Sequence, residues 1–329
     1  MSRLRVAVVG VGYLGRFHAQ KYAALAECEL VALADPNSAA AGALARELGT
    51  RASGDYRELL GKVDAVSVAT PTALHFEVTR AFLEAGTHVL VEKPITETVE
   101  QAQQLIAVAR RAGRVLQVGH LERFNPAILA AEPHLRSPRF IECHRLAPFR
   151  ERGTDVNVVL DLMIHDLDLV QSIVGSPIAS IDAVGTPVFS AEIDIANARI
   201  RFANGCVANA TASRVSLKTE RKLRLFQDDA YLSIDLQQKI LTVIRKQDTG
   251  PDAARLPVSI DEQSFEPGDA LRAEIKAFLA SCRGERPVVV SGDDGMRALQ
   301  TAMTITAAVQ AAAPAAAAAG PTRGPAAAH

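Results

Sequence analysis

Apolar positions in the first third of the chain alternate between two rhythms. Short, nearly continuous apolar runs at Leu4–Val9, Glu29–Ala34, Ala65–Ala69, His88–Glu92 and Val115–Val118 predict strands covered on both faces. Between them, stretches with helical period at about 14–26, 38–48, 72–85 and 99–112 predict helices, and Gly49, Gly86 and Gly113 stand where helix C-caps belong. Strand and helix in turn, joined by short connections, predict an α/β doubly wound parallel sheet over residues 1–120.

After Gly119 the rhythm changes to a period of two. Arg139–Leu146, Ser180–Val184, Ala191–Phe202, Cys206–Val215, Arg221–Gln227, Tyr231–Leu236 and Ile240–Arg245 predict one open, mostly antiparallel sheet, with Asn204-Gly205 as a hairpin turn. The helices expected to cover it lie at about 126–135, 156–174, 269–282 and 293–311. If all four cover one face, the other meets solvent or a second subunit. A homodimer or homotetramer through this sheet is therefore expected of a second α/β domain at 121–312. The Ala/Pro/Gly-rich end, 313–329, reads as a disordered tail.

Charge narrows the partners. With 36 basic and 37 acidic residues interspersed, the chain has no basic field for nucleic acid or an anionic membrane. The Ala-rich C-terminal tract is interrupted by Gln310 and Pro314, and no signal-peptide pattern opens the chain, so the cytoplasm is the expected location. Cys28, Cys143, Cys206 and Cys282 are far apart, which suggests neither a disulfide framework nor a zinc site, and no metal is expected.

The chemistry begins at the first strand's end. Gly10-Val11-Gly12-Tyr13-Leu14-Gly15 follows a strand and opens a helix, and Asp35 ends the next strand twenty residues on. Gly10 permits the tight turn, Gly12 lets backbone approach a pyrophosphate, and Gly15 lets helix pack on sheet, so this loop with Tyr13 and Leu14 predicts a dinucleotide site. The Asp35 carboxylate suits a ribose with two free hydroxyls and repels a 2′-phosphate, which favours NAD over NADP.

Glu92-Lys93-Pro94 ends another buried strand at the sheet edge where ligands bind, so Lys93 is expected to face the cofactor crevice; a solvated strand-end lysine is the alternative. On the predicted helix 156–174, Asp161, His165 and Asp168 form a polar stripe on an otherwise apolar cylinder. Buried ionisable groups need partners or water, so the stripe predicts a cleft in which His165 moves a proton; a core histidine capped by Asp161 is the alternative. Thr70, Pro71 and His75 lie beside the crevice, although His75 can equally be a helix N-terminal residue. Arg123 and Asn125, at the domain junction, are candidates for binding a polyol or phosphate, as is Asp168, with an interdomain structural role as the alternative.

These motifs together, including Arg16 and His18 after the glycines and the late segments Gly268–Ile275 and Ser291–Leu299, resemble the glucose-fructose oxidoreductase, inositol dehydrogenase and MocA (Gfo/Idh/MocA) family. The likeness spans residues 3 to about 310. It implies a Rossmann domain followed by an open-sheet domain, and it implies Lys93, Asp161 and His165 as the catalytic set. His165 would remove the proton of a sugar hydroxyl, Lys93 would polarise that oxygen, and Asp161 would orient the group. The segments 119–126 and 161–168 are similar to the branch that oxidises the 3-hydroxyl of UDP-N-acetylglucosamine. A UDP-sugar would engage cations such as Arg123, Arg145, Arg150 or Arg152. An inositol or free-sugar dehydrogenase, and a catalytically silent NAD-binding sensor, are the other readings.

Overall fold

The computed structural model describes residues 3–150, 156–247, 258–266 and 268–317. The first sheet takes the strands β1 (Leu4–Val9), β2 (Cys28–Ala34), β3 (Arg51–Ser53), β4 (Ala65–Val68), β5 (His88–Glu92) and β6 (Leu116–Gly119), all parallel, in the order β3-β2-β1-β4-β5-β6. The order reverses at β1, so the crevice outside the carboxyl ends of β1 and β4 is the natural ligand position. Helices α1 (Tyr13–Ala23), α2 (Ser38–Leu48), α3 (Thr72–Glu84) and α4 (Val99–Ala112) follow their strands. The αL glycines Gly49 and Gly113 end α2 and α4. The sequence pattern anticipated all of this except β3, whose three mostly exposed residues carry no apolar run.

The second sheet has eight strands: β7 (Phe140–Leu146), β8 (Ile178–Thr186), β9 (Ile195–Phe202), β10 (Val207–Ser213), β11 (Glu220–Phe226), β12 (Ala230–Asp235), β13 (Ile240–Lys246) and β14 (Val258–Ser264). Their order is β14-β13-β12-β11-β7-β10-β9-β8, antiparallel apart from the central β7/β10 pair. One face is packed under α5 (Pro126–Ala131), α6 (Ile164–Val174) and α8 (Gly292–Ala317), with Ile141, Leu167, Ile200, Leu225 and Ile305 in the shared core. Strand β14, Val-Ser-Ile-Asp-Glu-Gln-Ser, is an edge strand too polar for its pattern to announce it.

Two expectations fail here. Helix α7 (Ala270–Cys282) does not cover the second sheet. It returns to the first domain, where Ile275, Phe278 and Leu279 are buried with Val6, Tyr22 and Leu90. Apolar periodicity says that a helix needs a partner, not which one. The last helix also continues to Ala317, past the helix end expected at about 311, along alanines with high helix propensity; residues 318–329 lie outside the described ones. No helix among the described residues is long and apolar enough to cross a membrane.

Candidate active site

The crevice at the switch point is built as the glycine spacing requires. Gly10 has φ +87°, and a Cβ there would lie 2.5 Å from the Ala69 carbonyl oxygen. A Cβ on Gly15 would lie 1.8 Å from the Gly10 carbonyl oxygen, whereas the space beside Gly12 is clear to 4 Å. Gly12 caps α1 without a side-chain hydrogen bond, which leaves the helix N-terminal field to an anion. The side chains of Tyr13 and Leu14 are exposed at this entrance. Asp35 closes the far end, its two oxygens accepting from the N–H groups of Val11 and Asn37, each at 2.8 Å. Gly10, Gly12, Asp35, Tyr56, Thr70 and Pro71 are among the residues lining this cavity of about 740 Å³. Thr70 Oγ1 is buried there without a hydrogen-bond partner. An open pyrophosphate position, a helix N-terminus, a ribose acceptor and an unspent hydroxyl together fit a dinucleotide. A cavity of about 780 Å³ between α6, β8 and α8 contains none of these groups.

Lys93 follows β5 directly and is joined to Pro94 by a cis peptide bond. Its ammonium donates to the backbone carbonyl of Asp161 at 2.8 Å and lies 3.6 Å from the Asp161 carboxylate. That carbonyl belongs to a π-helical turn, Val159–Met163, inserted immediately before α6. A single wide turn re-aims side chains and carbonyls, and such turns are frequent at functional sites. It also alters the spacing assumed for an i, i+4 pair: Asp161 turns to Lys93 and makes no hydrogen bond with His165 among the described contacts. Burial lowers the Lys93 pKa from the ordinary lysine value, opposed by Asp161 and Glu92. Burial also pushes the half-buried His165 well below its ordinary value, reinforced by Lys93, Arg145, His120 and Arg221. A neutral imidazole beside an ammonium is a base paired with an electrophile.

Glu92, the last residue of β5, has a largely buried side chain. It accepts from His18 Nε2 at 2.8 Å; His18 Nδ1 lies 3.1 Å from Ser67 Oγ, which is 2.8 Å from Tyr22 Oη. This chain ties α1, which holds the anion position, to the strand that carries Lys93. Glu274 on α7 is fully buried nearby with neither carboxyl oxygen bonded. Burial, with the Glu92 charge, pushes its pKa well up.

Four further candidates have protein partners. His75 turns its nitrogens to the carbonyl oxygens of Pro94 and Thr70, at 2.7 and 3.0 Å, bracing the loops on either side of the crevice. Arg123 and Asp168 form a bidentate pair at 2.6 and 2.9 Å, with Asp168 only 2% exposed. Asn125 caps α5 through Ala127 N–H and donates to the Leu236 carbonyl. Polarity at a domain junction signals partners; it does not say whether they are protein or ligand. Arg145 is likewise held by Asp166 and Glu122. Arg150 is exposed, and Arg152 lies outside the described residues. Pattern reading missed Arg221, which pairs in register with Arg145 across β11 and β7 and is roughly half exposed, 3.8 Å from Glu122. Only the sheet register brings it to the site.

A family model described as "Oxidoreductase family, NAD-binding Rossmann fold" matches residues 4–120, and one for the GFO/IDH/MocA C-terminal domain matches residues 128–233. The chain belongs to this Gfo/Idh/MocA family of NAD-binding oxidoreductases. Within it, the chain is 41% identical over 313 residues to UDP-N-acetylglucosamine 3-dehydrogenase of Acidithiobacillus ferrooxidans, covering 94% of this chain and 98% of that protein. A solved structure of that enzyme matches with a TM-score of 0.88 at 40% identity, covering 94% and 99% of the two chains. Inositol 2-dehydrogenase of Rhizobium meliloti is 26% identical over 316 residues, 91% of this chain and 94% of that protein.

Proposed function

We propose that the protein oxidises the 3-hydroxyl of UDP-N-acetylglucosamine, using NAD, with Lys93 and His165 as its catalytic side chains. The observation that carries the chemistry is the convergence of a π-turn-clamped ammonium and a neutral imidazole beside a dinucleotide crevice. The substrate rests on the full-length likeness to the Acidithiobacillus ferrooxidans enzyme. Bound NAD supplies the hydride acceptor. Gly12 and the N-terminus of α1 would hold its pyrophosphate, with Gly10 making the turn and Gly15 the close packing of α1 on the sheet; Asp35 would accept from its ribose, and Thr70 and Pro71 would border it. Lys93 donates one N–H to the Asp161 carbonyl and keeps another for the sugar oxygen, while His165 takes that hydroxyl's proton. Without both, negative charge building on the oxygen would be unsupported.

An inositol or free sugar is the second reading, favoured by the commitment of Arg123 and Arg145 to carboxylates. Arg221, about half exposed and only loosely paired with Glu122 at 3.8 Å, supports the diphosphate instead. Absorbance at 340 nm with NAD and, separately, UDP-N-acetylglucosamine, myo-inositol and glucose distinguishes them, and signal from myo-inositol alone would transfer the assignment.

The pH profile follows from the two shifts. Only a neutral His165 accepts a proton, so kcat/KM is full above its depressed pKa and falls as the pH drops through it, below 6.5. Lys93 must be charged, so an alkaline limb is expected below 10.5. An acid limb above 6.5 would contradict the assignment of the base.

The uncovered sheet face supports self-association. Val207, Phe140, Phe226, Tyr231, Ile244 and Ile260 are successive cross-strand partners forming one apolar row. The ring centroids of Phe226 and Tyr231 are 4.9 Å apart, and Ile260 is 65% exposed. A second copy of this chain is the proposed cover, in a dimer or tetramer. Tyr231→Glu is expected to give monomers in sedimentation where the parent protein gives oligomers; a monomeric parent would refute the interface.

A further inference from the structure

Three buried ring nitrogens beside Lys93 have no hydrogen-bond partner: both of His120 and Nδ1 of His165. His120 immediately follows β6 and is 1% exposed. The two imidazoles meet edge to face, with centroids 6.1 Å apart and planes at 83°. Buried polar atoms are rarely left unpaired, and the exceptions concentrate where chemistry needs them. We infer that His120 is a positioning residue for the base, accepting a hydrogen bond from His165 Nδ1–H and so fixing the tautomer that presents Nε2 to the substrate.

The other side chains around the His165 ring are already engaged. If Nε2 is to accept a proton, the neutral ring must carry its own proton on Nδ1, and a buried N–H needs an acceptor. Asp161, the acceptor expected from the sequence, is turned by the π turn to Lys93. Both oxygens of Asp166 accept from Arg145, and both oxygens of Asp168 accept from Arg123. His120 remains, and burial, despite the nearby Asp168 and Glu92, lowers its pKa below the ordinary histidine value, which preserves a lone pair. The rings are too far apart for a bond in this structure, and catalytic hydrogen bonds commonly tighten when ligands bind. In the proton step the substrate O–H bond breaks as the Nε2–H bond forms. Nδ1 keeps its proton, shared with His120, which stabilises the imidazolium until Nε2 releases its proton to solvent.

This inference rests on the reading in which His165 is the base, and its test separates the two. Nitrogen-15 spectra of the His165 ring in the NAD-bound parent protein, near neutral pH, are expected to report the Nδ1–H tautomer. His120→Phe is expected to lose that signature and to lower kcat by about 10- to 100-fold, with both KM values changed by less than about two-fold. His120→Gln, whose amide oxygen can accept, is expected to regain much of the loss. An Nε2–H tautomer in the parent protein, or parental kcat in His120→Phe, would overturn the inference. If the Phe variant does not fold, the parent spectrum decides alone. Failure of the parent protein to turn over UDP-N-acetylglucosamine would count against the substrate, while the spectrum still decides the histidine pair.

Discussion

Lys93→Ala is expected to lower kcat by about 10² to 10⁴, and His165→Ala by a similar factor, with NAD affinity nearly unchanged in both. In the proposed reaction the ammonium donates to the sugar oxygen on which charge builds, and it is held in place by the Asp161 carbonyl at 2.8 Å. Alanine removes that donor and leaves the carbonyl to water. Because proton removal and oxygen stabilisation belong to one event, the double variant should lose little more than either single one. Steady-state kinetics at 340 nm with a parallel NAD titration read both quantities. Near-parental turnover in the two single variants would remove the basis for the catalytic pair.

The second large effect separates two glycines three residues apart. Gly15→Ala places a methyl 1.8 Å from the Gly10 carbonyl oxygen, a backbone atom, so α1 must shift away from the sheet. The cost is at or above the upper end of the roughly 1–3 kcal/mol usual for overpacking, which lowers Tm by several degrees and removes NAD binding with it. Gly12→Ala meets nothing within 4 Å, so Tm should hold. NAD affinity should nevertheless fall by about 10- to 100-fold, because the methyl occupies the space a pyrophosphate needs. Thermal melts with and without NAD check the pair. Unchanged NAD affinity in Gly12→Ala would contradict the placement of the phosphates.

The molecule was most legible where chemistry depends on local geometry. The glycines, Asp35 and Lys93 fall at strand ends, and burial on both faces gives those strands an unmistakable apolar signal. His165 was legible because a polar residue on an apolar helix must find a reason to be there. What the sequence did not reveal depends on distant partners. His75, Arg123, Asn125 and Asp168 have side chains suited to a ligand, yet their polar atoms are satisfied by Pro94, by one another, by Leu236 and by Ala127. The π turn has no pattern of its own, so a regular helical wheel did not show that the Asp161 carboxylate lies 3.6 Å from Lys93. Arg221 and His120 reach the site only through sheet register and strand order, and α7 crosses back to a domain that its periodicity does not name.

In the proposed reaction, hydride leaves C3 of the sugar beside Lys93 and His165. UDP-N-acetylglucosamine deuterated at C3, incubated with the full-length protein and NAD, tests it by mass analysis of the reduced cofactor. Deuterium is expected in the NADH formed, with its loss from the sugar. Unlabelled NADH, with deuterium retained at C3, would contradict it.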